Sequence, residues 1–404
     1  MNAPTSIHEM KIMNQLPDMG SGPVPIEPYI SPEYFEKEKE KVFKRAWINV
    51  GRVNAHIPNP GDYMVRELAF LNAPVLLVHG RDGVIRTFYN VCTHRGNSVV
   101  ASGSGNVRSA FVCGFHGWAF GLDGSLKTVP SEEQFPGLDR AQYGLKPITT
   151  EVWKGFIFIN AQDKPATPLV EFLGGMGAQL QDMPFDKYEP IRRMSTRLKC
   201  NWKTFADAFQ EAYHVGLVHA ESLSGMASKP NMYVPTSMRT YGPHRSISAW
   251  ADPEHKPTPA EAIAWEYGGS FTPGHEREKP TYTNPSHDEN WWFDINALFP
   301  NLTILAGAGW YVSYNFFPVS VSETYWEGSL YQIPAAPPGY STPGQEIAKA
   351  YARDAWRDVL YEDLSTMEGV QRGMNTGVLK AILPGKIEET IRHQAWAIEQ
   401  WLKA

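Results

Sequence analysis

The chain has 404 residues, room for two or three packing units, and its 42% hydrophobic and 20% charged composition is that of an ordinary globular protein. A formal net charge of -6 gives no reason to expect nucleic acid or an anionic membrane as partner. No apolar run approaches the roughly 18 residues a bilayer span needs, and the first 25 residues lack a basic patch followed by an apolar core, so a cytoplasmic protein is expected. Three cysteines, Cys92, Cys113 and Cys200, are too few for the disulfide framework of a small secreted domain, which turns attention to metal binding at Cys92 and Cys113.

Residues 1 to about 30 are rich in Pro, Gly and Met without periodicity and read as an arm. SPEYFEKEKEKVFKRAW (31–47) opens with a Ser cap and Pro at the first helical position, and carries Phe35, Val42 and Trp47 on a charged background, which predicts an amphipathic helix. From about 48 to 160, short β-branched and aromatic runs (WINVGRV, PVLLVHG, VIRTFYNV, AFVCGF, WAFGL, WKGFIFIN) alternate with turns such as RDG and LDG, as in a small all-β domain. NWKTFADAFQEAYHVGLVH (201–219) returns to a helical period with Trp202, Phe205, Phe209, Ala212 and Tyr213 facing a core. The polar stretch 220–290 reads as a long irregular region, a lid or entrance. Strand-like runs fill 302–333, and helices are expected at 345–372 and 386–402. No internal repeat is visible.

Two constellations carry chemistry. In the β region, Cys92-Thr93-His94-Arg95-Gly96 and Cys113-Gly114-Phe115-His116-Gly117-Trp118 each place one Cys and one His in a Gly-bearing loop after a strand-like run. A structural zinc site shares this ligand set, but zinc fingers normally take both Cys from one loop and both His from another. One Cys and one His per loop suits instead a two-iron cluster with two thiolates on one iron and two imidazoles on the other. In the 201–219 segment, His214 and His219 are five residues apart, which is not the spacing that stacks side chains on one regular helix face. Both converge only if the helix unwinds between them, where Gly216 lies. Non-haem Fe(II) oxygenases hold their metal with two His and one carboxylate.

CTHRG and CGFHGW resemble the two cluster loops of Rieske-type ring-hydroxylating oxygenases, and Glu211, His214 and His219 resemble the family's iron-binding segment, with ExxHxxxxH where Asp is the commoner first acid. The resemblance spans about residues 35–400. It implies an α+β chain in which an arm and helix (1–44) precede an all-β Rieske domain (45–160) and a larger mixed catalytic domain (161–404) with an antiparallel sheet flanked by helices. It further implies a [2Fe-2S] cluster on Cys92, His94, Cys113 and His116, with Arg95 and Trp118 shielding it, and a mononuclear Fe(II) on His214, His219 and a distant acid. Asp363 fits that acid best because it precedes Glu368 and Gln371 of an ExxQ pair, with Glu362 as rival and Glu368 weaker. Glu211 takes the place of a residue that bridges an iron-ligand His and a cluster-ligand His of a neighbouring subunit, with His214 its local partner, and this implies a homotrimer, to which a beta subunit could be added. Cys200 matches nothing and reads as a buried thiol.

HExxH, Walker A and GxSxG motifs are absent and SGSGNVRS lacks the third Gly of a dinucleotide fingerprint, so electrons should come from a separate ferredoxin or NAD(P)H-dependent reductase. Around the iron segment, Asp207, Ala208, Phe209, Val215 and Leu217, with Leu298, Leu302 and Ile304, are the pocket candidates, Asp207 also as a catalytic group. Their apolar character favours an aromatic or polycyclic substrate for O2-dependent hydroxylation. The alternatives are an oxidative demethylase or a quaternary-ammonium monooxygenase with Trp291, Trp292 and Tyr311 as an aromatic cage, and, outside enzymes, a Rieske electron carrier.

Overall fold

The computed structural model describes residues 16–223, 238–250, 255–267, 282–285, 287, 289–334 and 341–404. The chain divides into two compact units, residues 43–172 and the chain on either side of them, with the boundary inside the helix Leu169–Gln179.

Residues 43–172 are built on antiparallel strands. Among the described residues one sheet runs in the order Ile48–Arg52, Phe156–Asn160, Pro147–Trp153, Ile85–Tyr89, Ala73–His79, Asp62–Leu68, Ser104–Asn106, and a smaller sheet pairs Ala110–Val112, Ala119–Gly121 and Leu126–Thr128. Asp62–Leu68 is a strand that its Asp, Arg and Glu had concealed in the sequence; Arg66 is buried and Glu67 exposed, on opposite faces of the pairing. A core of Leu76, Phe88, Phe111, Trp118 and Phe120 surrounds both Cys92 and Cys113.

The second unit is organised by another antiparallel sheet, ordered among the described residues Glu189–Leu198, Glu323–Gln332, Trp310–Ser320, Leu302–Gly307, Trp291–Leu298, His244–Trp250, Met238–Tyr241. Side chains alternate across a sheet, so register assigns its two faces. Arg245, Ala297, Thr303, Tyr314 and Gly328 form one cross-strand row. On that face pack Phe205 and Phe209, against Phe316 and Trp326, and Trp356, whose indole N–H donates to Tyr314 at 3.0 Å. Asn296, Ile304 and Ser313 lie on the other face, where the Gln179 amide reaches Asn296 at 2.7 Å and Ser246 at 2.9 Å.

Several sequence expectations change. The first helix begins as expected, with the Ser31 hydroxyl accepting from Tyr34 N–H, but it spans Pro32–Glu38 and passes into a π turn, Lys39–Phe43, short of Trp47. The 201–219 segment is not one helix: it is Trp202–Ala208, a non-helical link, and a single turn Val215–Val218. Within the stretch expected to be irregular, Met238–Tyr241 and His244–Trp250 are strands and Pro259–Glu266 a helix, since polar residues that suggested a loop, such as Ser246 and Ser248, are buried and bonded in the sheet; residues 224–237, 251–254 and 268–281 lie outside the described residues. The long helix runs Pro343–Asn375, started by a Thr342–Gln345 capping box, and the last is Glu389–Lys403.

A buried ion pair joins the first helix to Trp202–Ala208. The Lys203 ammonium donates to both oxygens of Glu38 at 2.7 and 2.9 Å, and the Trp202 indole donates to Glu38 at 3.1 Å. Neither charge reaches solvent, so burial raises the Glu38 pKa and lowers that of Lys203 despite the pairing. Replacing one partner leaves an uncompensated charge, and Lys203→Met should cost about 3–5 kcal/mol in chemical denaturation, whereas Glu38→Leu/Lys203→Met should recover most of it.

Candidate metal centres

The two Cys/His loops are built on one plan. Cys92 N–H donates to Asn97 C=O at 2.8 Å and Gly96 N–H to Cys92 C=O at 2.9 Å; Cys113 N–H donates to Trp118 C=O at 2.9 Å and Gly117 N–H to Cys113 C=O at 3.0 Å. In each, the residue four after the Cys is a glycine with φ near +75° (78° at Gly96, 75° at Gly117), a conformation that penalises a Cβ. The thiols point into the core, 3% and 2% exposed, while His94 is half-buried and His116 exposed. The imidazoles meet edge to face at 4.6 Å, and Trp118 stacks on His94 at 4.7 Å. Burial raises the Cys92 thiol; at Cys113 the same burial is outweighed by the Phe115 and His116 N–H groups and the Asn97 amide, whose nitrogen lies 3.6 Å from the sulfur, so that thiol lies below its usual value.

The arrangement fits a two-iron cluster better than a zinc ion. Four tetrahedral ligands of one zinc would lie about 3.3–3.8 Å apart. Among the described residues, the only His/Cys/Asp/Glu group of three or more with all donor atoms within 4.8 Å of one another is His214, His219 and Asp363. The Cys/His donors instead form an inner thiol pair and an outer imidazole pair, the division a Rieske cluster requires.

His214 and His219 sit at the two ends of the turn Val215–Val218. The helix stops at Ala208, and the Glu211 carboxylate then accepts from the Tyr213 and His214 backbone N–H groups, fixing a new turn. The break therefore falls before His214 and not at Gly216, which is inside the turn. Glu211 also bonds His214 Nδ1, and Glu362 bonds His219 Nδ1 at 2.7 Å. Both rings thus turn Nε2 inward, toward one Asp363 oxygen at 3.3 Å (His214) and 3.1 Å (His219). Adjacent ligands of an octahedral ion at about 2.1 Å are about 3 Å apart, so these donors fit one face of such a centre. Burial disfavours a charged His214, but Asp363 and Glu211 outweigh it and push its pKa up to about 10, and burial at Asp363 is likewise outweighed by the two His, which lower its pKa. Such a field favours a cation.

The rival acids have other tasks. Glu362 also accepts from Ser222 N–H and hydroxyl, a supporting role that was not seen in the sequence. Glu368 accepts from Lys199 N–H at 3.1 Å, and Gln371 from Asn201 N–H at 2.7 Å, so the ExxQ pair holds the start of the iron segment against the long helix. Asp207 does not face the triad: it accepts from Tyr29 hydroxyl at 2.8 Å and from Gln394 at 2.7 Å. Leu217 is 85% exposed, and Leu298, Leu302 and Ile304 lie on the Gln179 face, opposite Thr303 and the helices bearing the triad, because register shifts of one residue change face. Tyr311 shares that far face, stacked on Tyr331 at 4.3 Å, and the Trp291 indole donates to Asp294 at 2.9 Å. Cys200 is buried, its thiol pushed up to about 12 by burial.

Asp363→Ala should remove the mononuclear metal and spare the cluster, while Glu362→Gln should keep the metal but weaken its binding by about 10–100-fold, measured by metal analysis after dialysis against a chelator. Burial pushes the Asp207 pKa up to about 7, against Tyr29, Arg245 and Lys203, which lower it, and with Glu211, which raises it. Its folded pKa lies above the unfolded value, so its contribution to stability is complete below about pH 4 and lost as pH rises through 7. Asp207→Asn should therefore flatten the fall of Tm over this window.

Comparison with known proteins places these centres in a family. The model of the ring hydroxylating alpha subunit (catalytic domain) matches residues 185–404, more than half of the chain, and that of the Rieske [2Fe-2S] domain matches residues 46–146. The carnitine monooxygenase oxygenase subunit of Escherichia coli is 37% identical over 198 residues, 48% of this chain and 52% of that protein. The large oxygenase component of the naphthalene 1,2-dioxygenase system of Pseudomonas aeruginosa is 37% identical over 200 residues, 47% of this chain and 43% of that protein. The chain thus spans about half the length of the curated relatives it matches. Two solved structures share the fold: the quaternary ammonium Rieske monooxygenase CntA (TM-score 0.74, 24% identity, 96% of this chain and 99% of that one) and naphthalene 1,2-dioxygenase from Rhodococcus sp. (TM-score 0.73, 20% identity, 94% of each). No helix among the described residues is long and apolar enough to cross a membrane. The chain belongs to the ring-hydroxylating oxygenase alpha-subunit family, in which a Rieske [2Fe-2S] domain precedes the catalytic domain.

Proposed function

We propose that the chain is a terminal oxygenase component that accepts electrons at a Rieske cluster on Cys92, His94, Cys113 and His116 and uses them at a ferrous ion on His214, His219 and Asp363 to hydroxylate an apolar, aromatic or polycyclic substrate. The observation that carries the reading is the pairing of Glu211–His214 and Glu362–His219 about one Asp363 oxygen, three donors on one side with the remaining directions left for O2 and substrate. Bound iron would supply O2 activation, and the cluster the electrons. The chain's own residues hold Nε2 of both His toward the metal, keep each Nδ1–H on a carboxylate, and leave the cluster imidazoles at the surface, open to a ferredoxin or reductase.

The substrate class rests on the sheet face shared with Thr303. Ile247, Ile295, Leu305 and Val312 lie on it, with Phe209 above, an apolar floor beneath the iron segment. A quaternary-ammonium substrate is the competing reading, as for the carnitine enzymes, but two of its supporting aromatic residues are engaged elsewhere, Tyr311 with Tyr331 and Trp291 with Asp294. A pure electron carrier would need no triad. Tyr213 and Leu217, 66% and 85% exposed beside Glu211, give a neighbouring subunit an apolar landing site and support a homotrimer in which Glu211 links cluster and iron.

Product formation dependent on NADH and O2, with a reductase and ferredoxin supplied, should be seen with members of a panel of mono- and polycyclic aromatic compounds and not with carnitine; the reverse outcome would establish the competing substrate class. Glu211→Gln should retain both metals yet, on mixing the reduced protein with O2 and substrate, leave the cluster reduced with little product. Fast reoxidation with normal product yield would remove Glu211 from the electron path.

A further inference from the structure

Gln210 precedes Glu211 in the link that follows the Trp202–Ala208 helix, and its side chain turns to the sheet while that of Glu211 turns to His214. Its Nε2 donates to the Thr303 hydroxyl at 2.8 Å. Both residues are buried, Gln210 5% and Thr303 0% exposed, and among the described residues the Gln210 Oε1 has no hydrogen-bond partner. Thr303 lies in the row Ala297, Thr303, Tyr314, on the face that carries Ile295 and Leu305 and receives Phe209 at 4.7 Å from the Tyr314 ring. The Gln210–Thr303 pair thus stands beside the apolar Ile295, Leu305 and Phe209, next to the residues that orient the proposed metal ligand, while the other polar groups of that row, Arg245 and Tyr314, meet Gln394 and Trp356.

A buried carbonyl without a donor forfeits its water hydrogen bonds, a penalty that native interiors seldom leave unanswered. Burying an amide where a Leu would fill the same volume is costly unless the free end meets a group that comes and goes. The Thr303 hydroxyl fixes the amide by one end, so the other end keeps its direction without a ligand present.

We propose that Gln210, fixed by Thr303, is a specificity-determining residue whose Oε1 accepts a hydrogen bond from an O–H or N–H group on an otherwise apolar substrate. The inference rests on the apolar-substrate reading above and narrows it to aromatic compounds bearing a donor, such as phenols or N–H heteroaromatics. A bare hydrocarbon offers no donor, and neither does a quaternary nitrogen, so both would leave the carbonyl unpaired.

Calorimetric binding of three probes to the metal-loaded protein tests it: indole, 1-methylindole, which lacks the N–H, and quinoline, which offers only an acceptor. The wild-type protein should bind indole about ten-fold more tightly than 1-methylindole, the size of one net hydrogen bond. Gln210→Leu should reduce that ratio to about one without weakening 1-methylindole. Gln210→Leu/Thr303→Val removes both polar partners together, a change that is close to neutral for folding, and should give the same ratio with an unchanged Tm. An indole preference that survives in both variants, or equal losses for all three probes, would overturn the assignment while leaving the apolar-substrate reading intact. A quinoline preference lost in Gln210→Leu would also overturn it, because the free end would then be the donor. Failure of the wild-type protein to bind any of the three would overturn the apolar-substrate reading and this inference with it.

Discussion

The catalytic unit depends on one electrostatic constraint: three carboxylates, Glu211, Glu362 and Asp363, meet two imidazoles in a largely buried space. Glu211, His219 and Asp363 are 9%, 3% and 5% exposed. Carboxylates so placed repel one another and are poorly solvated, and the cost is offset only by positive charge held between them. Two of the three acids spend their charge on a His Nδ1–H, which fixes both tautomers. The third is left to face Nε2 of both rings. A dication completes that balance, which makes metal loading and the local fold parts of the same equilibrium.

Everything that brings these groups together is arranged around the segment that carries the His pair. Its start is held by Gln371 and Glu368, and its first helix by the Glu38–Lys203 pair. Its aromatic residues Phe205 and Phe209 pack on Phe316 and Trp326. The break after Ala208 is what frees Glu211 to cap the following turn. One helical turn spans His214 to His219, so their convergence owes nothing to a break between them; Glu211 and Glu362 turn the two rings inward by holding each Nδ1.

The candidate ligand residues could be picked out in the sequence because the types and spacings that coordination chemistry requires tolerate few substitutes. One Cys and one His per loop, each with a glycine four residues after the Cys, foretold the paired loops. The choice of Asp363 over Glu362 was also available from the helix pattern: Ala352, Trp356, Leu360, Asp363, Met367 and Gln371 form a buried stripe, and an acid within it faces inward. Other features were hidden. The irregular link after Ala208 has no glycine or proline to announce it; a side chain taking backbone N–H groups produces it. The strand His244–Trp250 was masked by Arg245, Ser246 and Ser248, whose partners (Gln394, Asn296 and Asp294) are distant in sequence. The pocket candidates Leu302 and Ile304 were misplaced because hydrophobicity alone does not say which face of a doubly covered sheet a residue joins.

The central claim is that two different metal centres occupy this chain, a two-iron cluster on the paired loops and a single iron on the His214–His219–Asp363 face. Anomalous difference maps from crystals of the purified protein, with data on either side of the iron and zinc absorption edges, address it directly. The account expects an iron peak bounded by Nε2 of His214, Nε2 of His219 and the Asp363 carboxylate, and an elongated two-iron peak between the Cys92/Cys113 thiols and the His94/His116 imidazoles. A single zinc peak equidistant from those four loop ligands, with no density at the triad, would contradict it.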